Sequence, residues 1–311
     1  MTRILVTGAA GYLGSILIPN LLARGYQVTG LDTFTRNDNV LAHLCADPKF
    51  QPVRGDARDE TLVKELLKGA DYVIPLAALV GAPLCQQDPL NAETTNLGAV
   101  SLLVKSMSPD QRIIYPTTNS GYGLGTGEEA CTEESPLKPI SLYGVTKVEA
   151  EKVVLDRKNG VTFRLATVFG MAPRMRIDLL VNDFTYRAVT DRAVVLFEGH
   201  FKRNYIHIRD VSKAFLHAID NYDTMNANAY NVGLSTANLS KIELCERIQR
   251  FIPKFTYMLA QIGEDPDKRN YIVSNDKLEK TGWQPDHQLD DGIEELIRGY
   301  TMIRNTRYSN L

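Results

Sequence analysis

Cysteine is scarce and scattered. The four thiols, Cys45, Cys85, Cys131 and Cys245, show no CxxC and no Cys/His ligand spacing, and the nearest pair stands 40 positions apart. This argues against a disulfide framework and a zinc site, and for free buried thiols in a reducing compartment. The five histidines, His43, His200, His207, His217 and His287, have no metal-ligand spacing either, so no metal is expected. An excess of one charge is also lacking. Lys and Arg number 35 and Asp and Glu 37, for a net charge of −2, so nothing marks a nucleic-acid partner. No apolar run approaches the roughly 18 residues of a membrane span. The first apolar stretch is too short for a signal-peptide core and is interrupted by Gly8. The expectation is a cytoplasmic protein with neither nucleic acid nor membrane as a partner.

What is present is ordinary globular material. Hydrophobic residues make up 44% and charged residues 23% of 311, which excludes general disorder, and the length suggests about two domains. Short apolar runs at residues 3–7, 27–32, 51–55, 72–76, 112–116 and 162–165 read as strands buried on both faces. Helical patterns at 12–23, 60–67, 91–107 and 141–156 lie between them. Such alternation predicts βαβ units in a Rossmann-type, doubly wound parallel sheet over residues 1–170. After Gly170 the rhythm breaks. A loop, a helix at 177–189, short strands at 194–197, 204–208 and 229–232, and a helix at 290–303 predict a smaller mixed α/β region. It spans mainly residues 171–311 and is partly interleaved with the first.

Thr7-Gly8-Ala9-Ala10-Gly11-Tyr12-Leu13-Gly14 follows the first strand and opens a helix. Gly8, Gly11 and Gly14 suit a tight turn, close backbone approach to a pyrophosphate, and helix–strand packing; the helix N-terminus offers amide donors. Asp32 ends the next strand, where a carboxylate accepts from both adenosine ribose hydroxyls and repels a 2′-phosphate. NAD is therefore expected over NADP, with Arg36 the one nearby residue that would suit a 2′-phosphate. Asp56 and Ala57, past the third strand, are placed to reach the adenine, and Asp56 has the alternative of capping the next helix. Tyr143-Gly144-Val145-Thr146-Lys147 places a phenol and an ammonium one helical turn apart. The cation favours the phenolate, which suits Tyr143 to proton exchange with a substrate hydroxyl.

Together these motifs resemble the short-chain dehydrogenase/reductase superfamily, in its extended branch of nucleotide-sugar epimerases and dehydratases. Asp71-Tyr72-Val73-Ile74-Pro75-Leu76-Ala77-Ala78 is similar to that family's fourth strand and cofactor-lining turn, and Asn96 lies on a segment similar to its asparagine-bearing helix. Thr117-Thr118-Asn119-Ser120-Gly121-Tyr122-Gly123 resembles its active-site segment. The resemblance implies Thr118, with Thr117 as its near neighbour, as the residue that orients the reacting hydroxyl. It implies a homodimer or homotetramer built on helices 91–107 and 141–156. It further implies a nucleotide-sugar substrate, with Arg203 and Arg269 on the diphosphate and Asn119, Asn182, Arg174 and Arg176 as further substrate contacts.

Members of this branch begin by oxidising sugar C4 with NAD. Asn119 and Ser120 stand where 4,6-dehydratases carry acidic residues, which disfavours dehydration. No cysteine lies between Thr117 and Gly123, which disfavours the 3,5-epimerase/reductase type. A 4-epimerase or a 4-dehydrogenase remains. Residues 76–85, 117–123 and 179–188 resemble capsule-type enzymes acting on GDP-manno-heptose as 4-dehydrogenases, which implies surface polysaccharide precursor synthesis. The alternatives are a dehydratase of the same family and a non-catalytic NAD-binding redox sensor or scaffold; retention of Tyr143 and Lys147 speaks against the last.

Overall fold

The computed structural model describes residues 1–35, 39–125, 129–261 and 270–303. Its strands in chain order are β1 (Arg3–Thr7), β2 (Gln27–Asp32), β3 (Phe50–Arg54), β4 (Tyr72–Pro75), β5 (Arg112–Thr118), β6 (Gly160–Leu165), β7 (Thr167–Phe169), β8 (Ala193–Leu196), β9 (Lys202–His207), β10 (Asn228–Val232), β11 (Asn238–Ser240) and β12 (Thr256–Leu259). The α-helices are α1 (Gly14–Ala23), α2 (Glu60–Leu67), α3 (Ala82–Gln87), α4 (Pro89–Glu93), α5 (Ala99–Ser106), α6 (Leu142–Asp156), α7 (Leu180–Thr190), α8 (Ile208–Asp220), α9 (Tyr222–Met225), α10 (Lys241–Phe251), α11 (Asp276–Glu279) and α12 (Leu289–Gly299).

Seven strands form one parallel sheet in the order β10-β6-β5-β4-β1-β2-β3. Alternate residues of each strand serve opposite faces. Ile4, Val6, Ile74 and Ile114 pack with Leu17 and Leu21 of α1. Leu5, Val73, Ile113 and Tyr115 pack with Val63 of α2, Leu103 of α5 and Val154 of α6. Helices cover both faces, which is why the strands read as unbroken apolar runs. The seventh strand, β10, comes from far along the chain and pairs with β6, Tyr230 opposite Phe163.

The smaller part holds a three-stranded sheet, β11-β9-β7, and a parallel pair, β12-β8. Ser240 and Glu243 form a reciprocal capping box that starts α10. Leu289, Ile293 and Leu296, spaced on one face of α12, are buried, and α12 packs against α7. One expected helix differs. The 91–107 pattern is divided into α4, a π-helical turn at Thr94–Gly98, and α5. Asp88 caps α4 by accepting from Asn91 N at 3.1 Å. Among the described residues no helix is long and apolar enough to cross a membrane.

Candidate active site at the carboxyl ends of the parallel strands

The glycine loop connects β1 to α1. Gly8 has φ +70°, and a Cβ there would lie 2.5 Å from Ala77 N, so the turn after β4 closes directly on the loop. Ala77 N also donates to Thr7 Oγ1 at 3.3 Å, and Leu76 N to Thr7 O at 2.9 Å. A Cβ on Gly14 would lie 2.3 Å from Ala9 O. No side chain caps the N-terminus of α1, so the helix presents amide donors to an anion. Asp32 sits at the end of β2, accepting from Ala10 N and Phe34 N at 2.9 Å each. This cradle fits a dinucleotide: close backbone approach, an uncapped helix start, and a carboxylate at the ribose end. Asp56 pairs with Arg58, whose guanidinium holds its carboxyl below the usual range. The cap of α2 is Asp59, not Asp56.

The catalytic candidates converge from β5 and α6. Ser141 caps α6 by accepting from Gly144 N at 3.2 Å, which sets Tyr143 in the first turn and Lys147 in the second. Lys147 is 5% exposed, and its Nζ stands 4.0 Å over the Tyr115 ring. Burial pushes its ammonium down to about 7. Thr118 is buried at the end of β5; its Oγ1 donates to Ser120 Oγ at 2.9 Å and accepts from Ser120 N at 3.1 Å. Thr117 alternates to the opposite face and donates to Lys147 O at 3.4 Å. Asn119 is 1% exposed, and neither polar atom of its amide has a partner.

A family model for the NAD dependent epimerase/dehydratase family matches residues 4–233. The chain belongs to that family. Relatives include the low-salt glycan biosynthesis protein Agl12 of Haloferax volcanii, 28% identical with 96% of this chain and 98% of that protein covered. UDP-glucuronate 4-epimerase 2 of Arabidopsis thaliana is 27% identical, with 96% and 75% covered. Among solved structures, the UDP-glucuronic acid 4-epimerase of Bacillus cereus, crystallised with UDP-glucuronic acid and NAD, superposes with a TM-score of 0.83 at 25% identity. It covers 97% of this chain and 99% of its own. The dTDP-glucose 4,6-dehydratase of Bacillus anthracis, in complex with NAD, has a TM-score of 0.84 at 21% identity, covers 97% of each chain, and shows the shared fold. The cofactor of this NAD-dependent family is thus NAD, as the glycine loop and Asp32 suggest.

Within this epimerase/dehydratase fold, two buried asparagines bond to distant parts of the chain. Asn96, expected on the cofactor, is fully buried; its amide accepts from Leu79 N at 2.8 Å and donates to Leu79 O at 2.9 Å and Thr146 Oγ1 at 3.4 Å. It ties the turn after β4 to α6, from within the π-helical turn Thr94–Gly98. Asn182, expected on the substrate, is also fully buried. Its Oδ1 accepts from Gly170 N at 3.1 Å, and its Nδ2 donates to Tyr12 Oη at 3.2 Å and Arg176 O at 2.8 Å. Tyr12 donates to Gly170 O at 2.6 Å, and Tyr300 to Asn182 O at 2.9 Å. Asn182 therefore joins the glycine loop to the smaller part. Sequence spacing could not show this tie, because Tyr12 is 170 positions away.

The arginines divide. Arg176 is 8% exposed and forks onto Asp178, while Arg174 is 6% exposed and donates to Met175 O. Both are engaged within their own loop. Arg203 lies on β9, 5% exposed. Arg36 and Arg269 fall outside the described residues. One donor cluster that spacing did not flag joins His207, Asp210 and His287, with ligand atoms within 4.8 Å. His207 Nε2 meets Glu295 Oε2 at 2.6 Å, and Asp210 accepts from the amides of Asp286 and His287 at 3.0 Å each. The two imidazoles stack 4.3 Å apart at 18°. Parallel rings do not converge their nitrogens on one ion, so the cluster fastens α8 to α12.

Proposed function

We propose that the protein oxidises C4 of a nucleotide-activated sugar with NAD, as a 4-epimerase or a 4-dehydrogenase in surface polysaccharide precursor synthesis. GDP-manno-heptose is the first substrate to test. The observation that carries this reading is the buried Lys147 ammonium, one turn from Tyr143 on α6 and over the Tyr115 ring of the strand that ends in Thr118.

Gly8, Gly11, Tyr12, Leu13 and Gly14 hold the pyrophosphate through backbone and helix N-terminus, and Asp32 takes the adenosine ribose. Leu76, Ala77 and Ala78 line the adjoining wall, Asp56 and Ala57 the adenine end. The nicotinamide supplies the acceptor for the C4 hydride. Thr118 orients the C4 hydroxyl, Tyr143 takes its proton, and Lys147 holds positive charge beside the phenol so that the phenolate is favoured. Arg203 and Arg269 neutralise the diphosphate, since a guanidinium fork matches phosphate oxygens. The 4-keto sugar would then take the same hydride back on its other face, or leave while that hydride stays with the bound cofactor. Asn119 and Ser120 offer no carboxylate after Thr118, which favours these outcomes over dehydration. The working form is a cytoplasmic homodimer or homotetramer packed through α5 and α6, and light scattering tests it.

The decisive experiment presents UDP-, GDP-, CDP- and dTDP-sugars, GDP-manno-heptose included, to the NAD-loaded protein. Absorbance near 340 nm and product identity are followed. A 4-dehydrogenase should give a lasting rise at 340 nm with a 4-keto product, and a 4-epimerase a 4-epimeric product with no net change at 340 nm. No reduction and no product with any sugar overturns the reading.

A further inference from the structure

Beside the active site lies a buried ion pair that the chemistry above does not use. Glu151 follows Lys147 by one turn of α6, as Lys147 follows Tyr143, so the three share one stripe. Arg164 on β6 grips Glu151: Nη2 donates to Oε1 at 2.7 Å, and Nε to Oε1 at 3.0 Å and Oε2 at 3.3 Å. The side chains are 7% and 3% exposed. The remaining Arg164 nitrogen donates to Tyr122 Oη at 3.0 Å and Glu133 O at 2.9 Å. Tyr122 in turn donates to Asn231 Oδ1 at 2.7 Å. The guanidinium is thus fixed from every side, and so is the carboxylate it holds.

Such a pair is a poor device for stability alone, because apolar side chains of similar volume serve as well or better. Its position suggests another use. Lys147 is a buried cation, and burial opposes its charge; Glu151 acts in the other direction, and Cys85 more weakly so. The ionisable groups that meet the ammonium are Glu151 one turn along α6, Cys85 from α3 and the Tyr115 ring of β5, with Arg164 behind Glu151. Among them Glu151 is the carboxylate.

We propose that Glu151 is a positioning residue for the oxidation: locked by Arg164, and with the Tyr115 ring as a platform, it keeps the buried Lys147 ammonium charged beside Tyr143. This rests on the reading that Lys147 serves Tyr143. The sign follows directly. Lys147 is charged below its own pKa, and removing the Glu151 charge lowers that pKa. The cation is then lost at lower pH, and the alkaline limb of NAD reduction moves towards acid.

The test is an NMR titration of the lysine ammonium groups in the NAD-loaded protein without sugar, with Lys147 assigned through Lys147→Met. Wild type, Glu151→Gln, and the apolar double variant Glu151→Leu/Arg164→Met are compared. The double variant leaves no buried charge unpaired, so it carries the test where the single one unfolds. Glu151→Gln should titrate Lys147 about one pH unit lower, the usual reach of a close opposite charge, and the double variant should shift it the same way by less, because it also loses the Arg164 cation. With an oxidised sugar in hand, the alkaline limb of kcat should shift by the same amount, and Glu151→Asp should restore most of it. A uniform loss of activity at all pH values, or an unchanged Lys147 titration in a folded variant, overturns the proposal. Failure of every Glu151 variant to fold overturns it too, because the residue would then be structural. If no sugar is oxidised, the titration still decides the role of Glu151, and only the functional reading fails.

Discussion

Tyr143 is the residue on which the proposed chemistry turns, because it alone is assigned the proton. Tyr143→Phe keeps the ring and removes the acceptor. NAD reduction in a single turnover should fall by about 10²–10⁴-fold, the usual worth of general acid–base catalysis. Nucleotide-sugar titration should be little changed. Arg203→Ala should show the reverse, with weaker sugar binding and retained NAD. Full-rate reduction by Tyr143→Phe would remove the phenol from the mechanism. Asp32 carries a second expectation. Its carboxylate is oriented by Ala10 N and Phe34 N, so a 2′-phosphate would meet a fixed negative charge. NAD should bind at least about tenfold tighter than NADP, and Asp32→Asn should narrow the gap. Equal affinities in wild type would discard the argument. At this scale the sequence shows where chemistry and spacing coincide: the glycine turn that closes on Ala77, and Tyr143 and Lys147 one turn apart on α6. It does not show the partners of Asn96 and Asn182 within the chain. A buried amide serving backbone groups elsewhere in the chain looks, in one dimension, like an amide serving a ligand.

The elements show a similar division. Strands covered on both faces announce themselves as apolar runs, and β1 and β2 begin and end where those runs do. The short strands β7, β11 and β12 have three or four residues each and form only because distant partners align with them. The π-helical turn was equally hidden, since Thr94–Gly98 reads as ordinary helix. Its consequence can be measured at Asn96, which joins the turn after β4 to Thr146 on α6. Asn96→Leu should leave the Leu79 amide and carbonyl unpaired, at about 1–3 kcal/mol for each buried group. Thermal denaturation should show that loss, and NAD affinity should fall because the wall behind Gly8 is no longer fixed. An unchanged NAD affinity would confine Asn96 to stability.

In the whole molecule the two parts share a boundary that no single cut respects. β10 belongs to the large sheet although it follows β7, β8 and β9 of the smaller part, and Tyr12 is held by Gly170 and Asn182. A fragment ending at residue 176 should therefore neither remain soluble nor bind NAD, whereas the intact chain should do both. Sedimentation and NAD titration would check this, and a soluble, NAD-binding fragment would contradict it. The same strand order has a consequence in time. While the chain is being made, β6 is finished well before β10 exists, and it waits as an open edge. At about 5–20 residues per second that wait lasts seconds, and an unpaired edge is what neighbouring nascent chains would pair with. Slow codons placed between β6 and β10 should lower soluble yield, and the same codons placed after β10 should not. The hazard for this protein is one of timing during birth, set by the late arrival of its seventh strand.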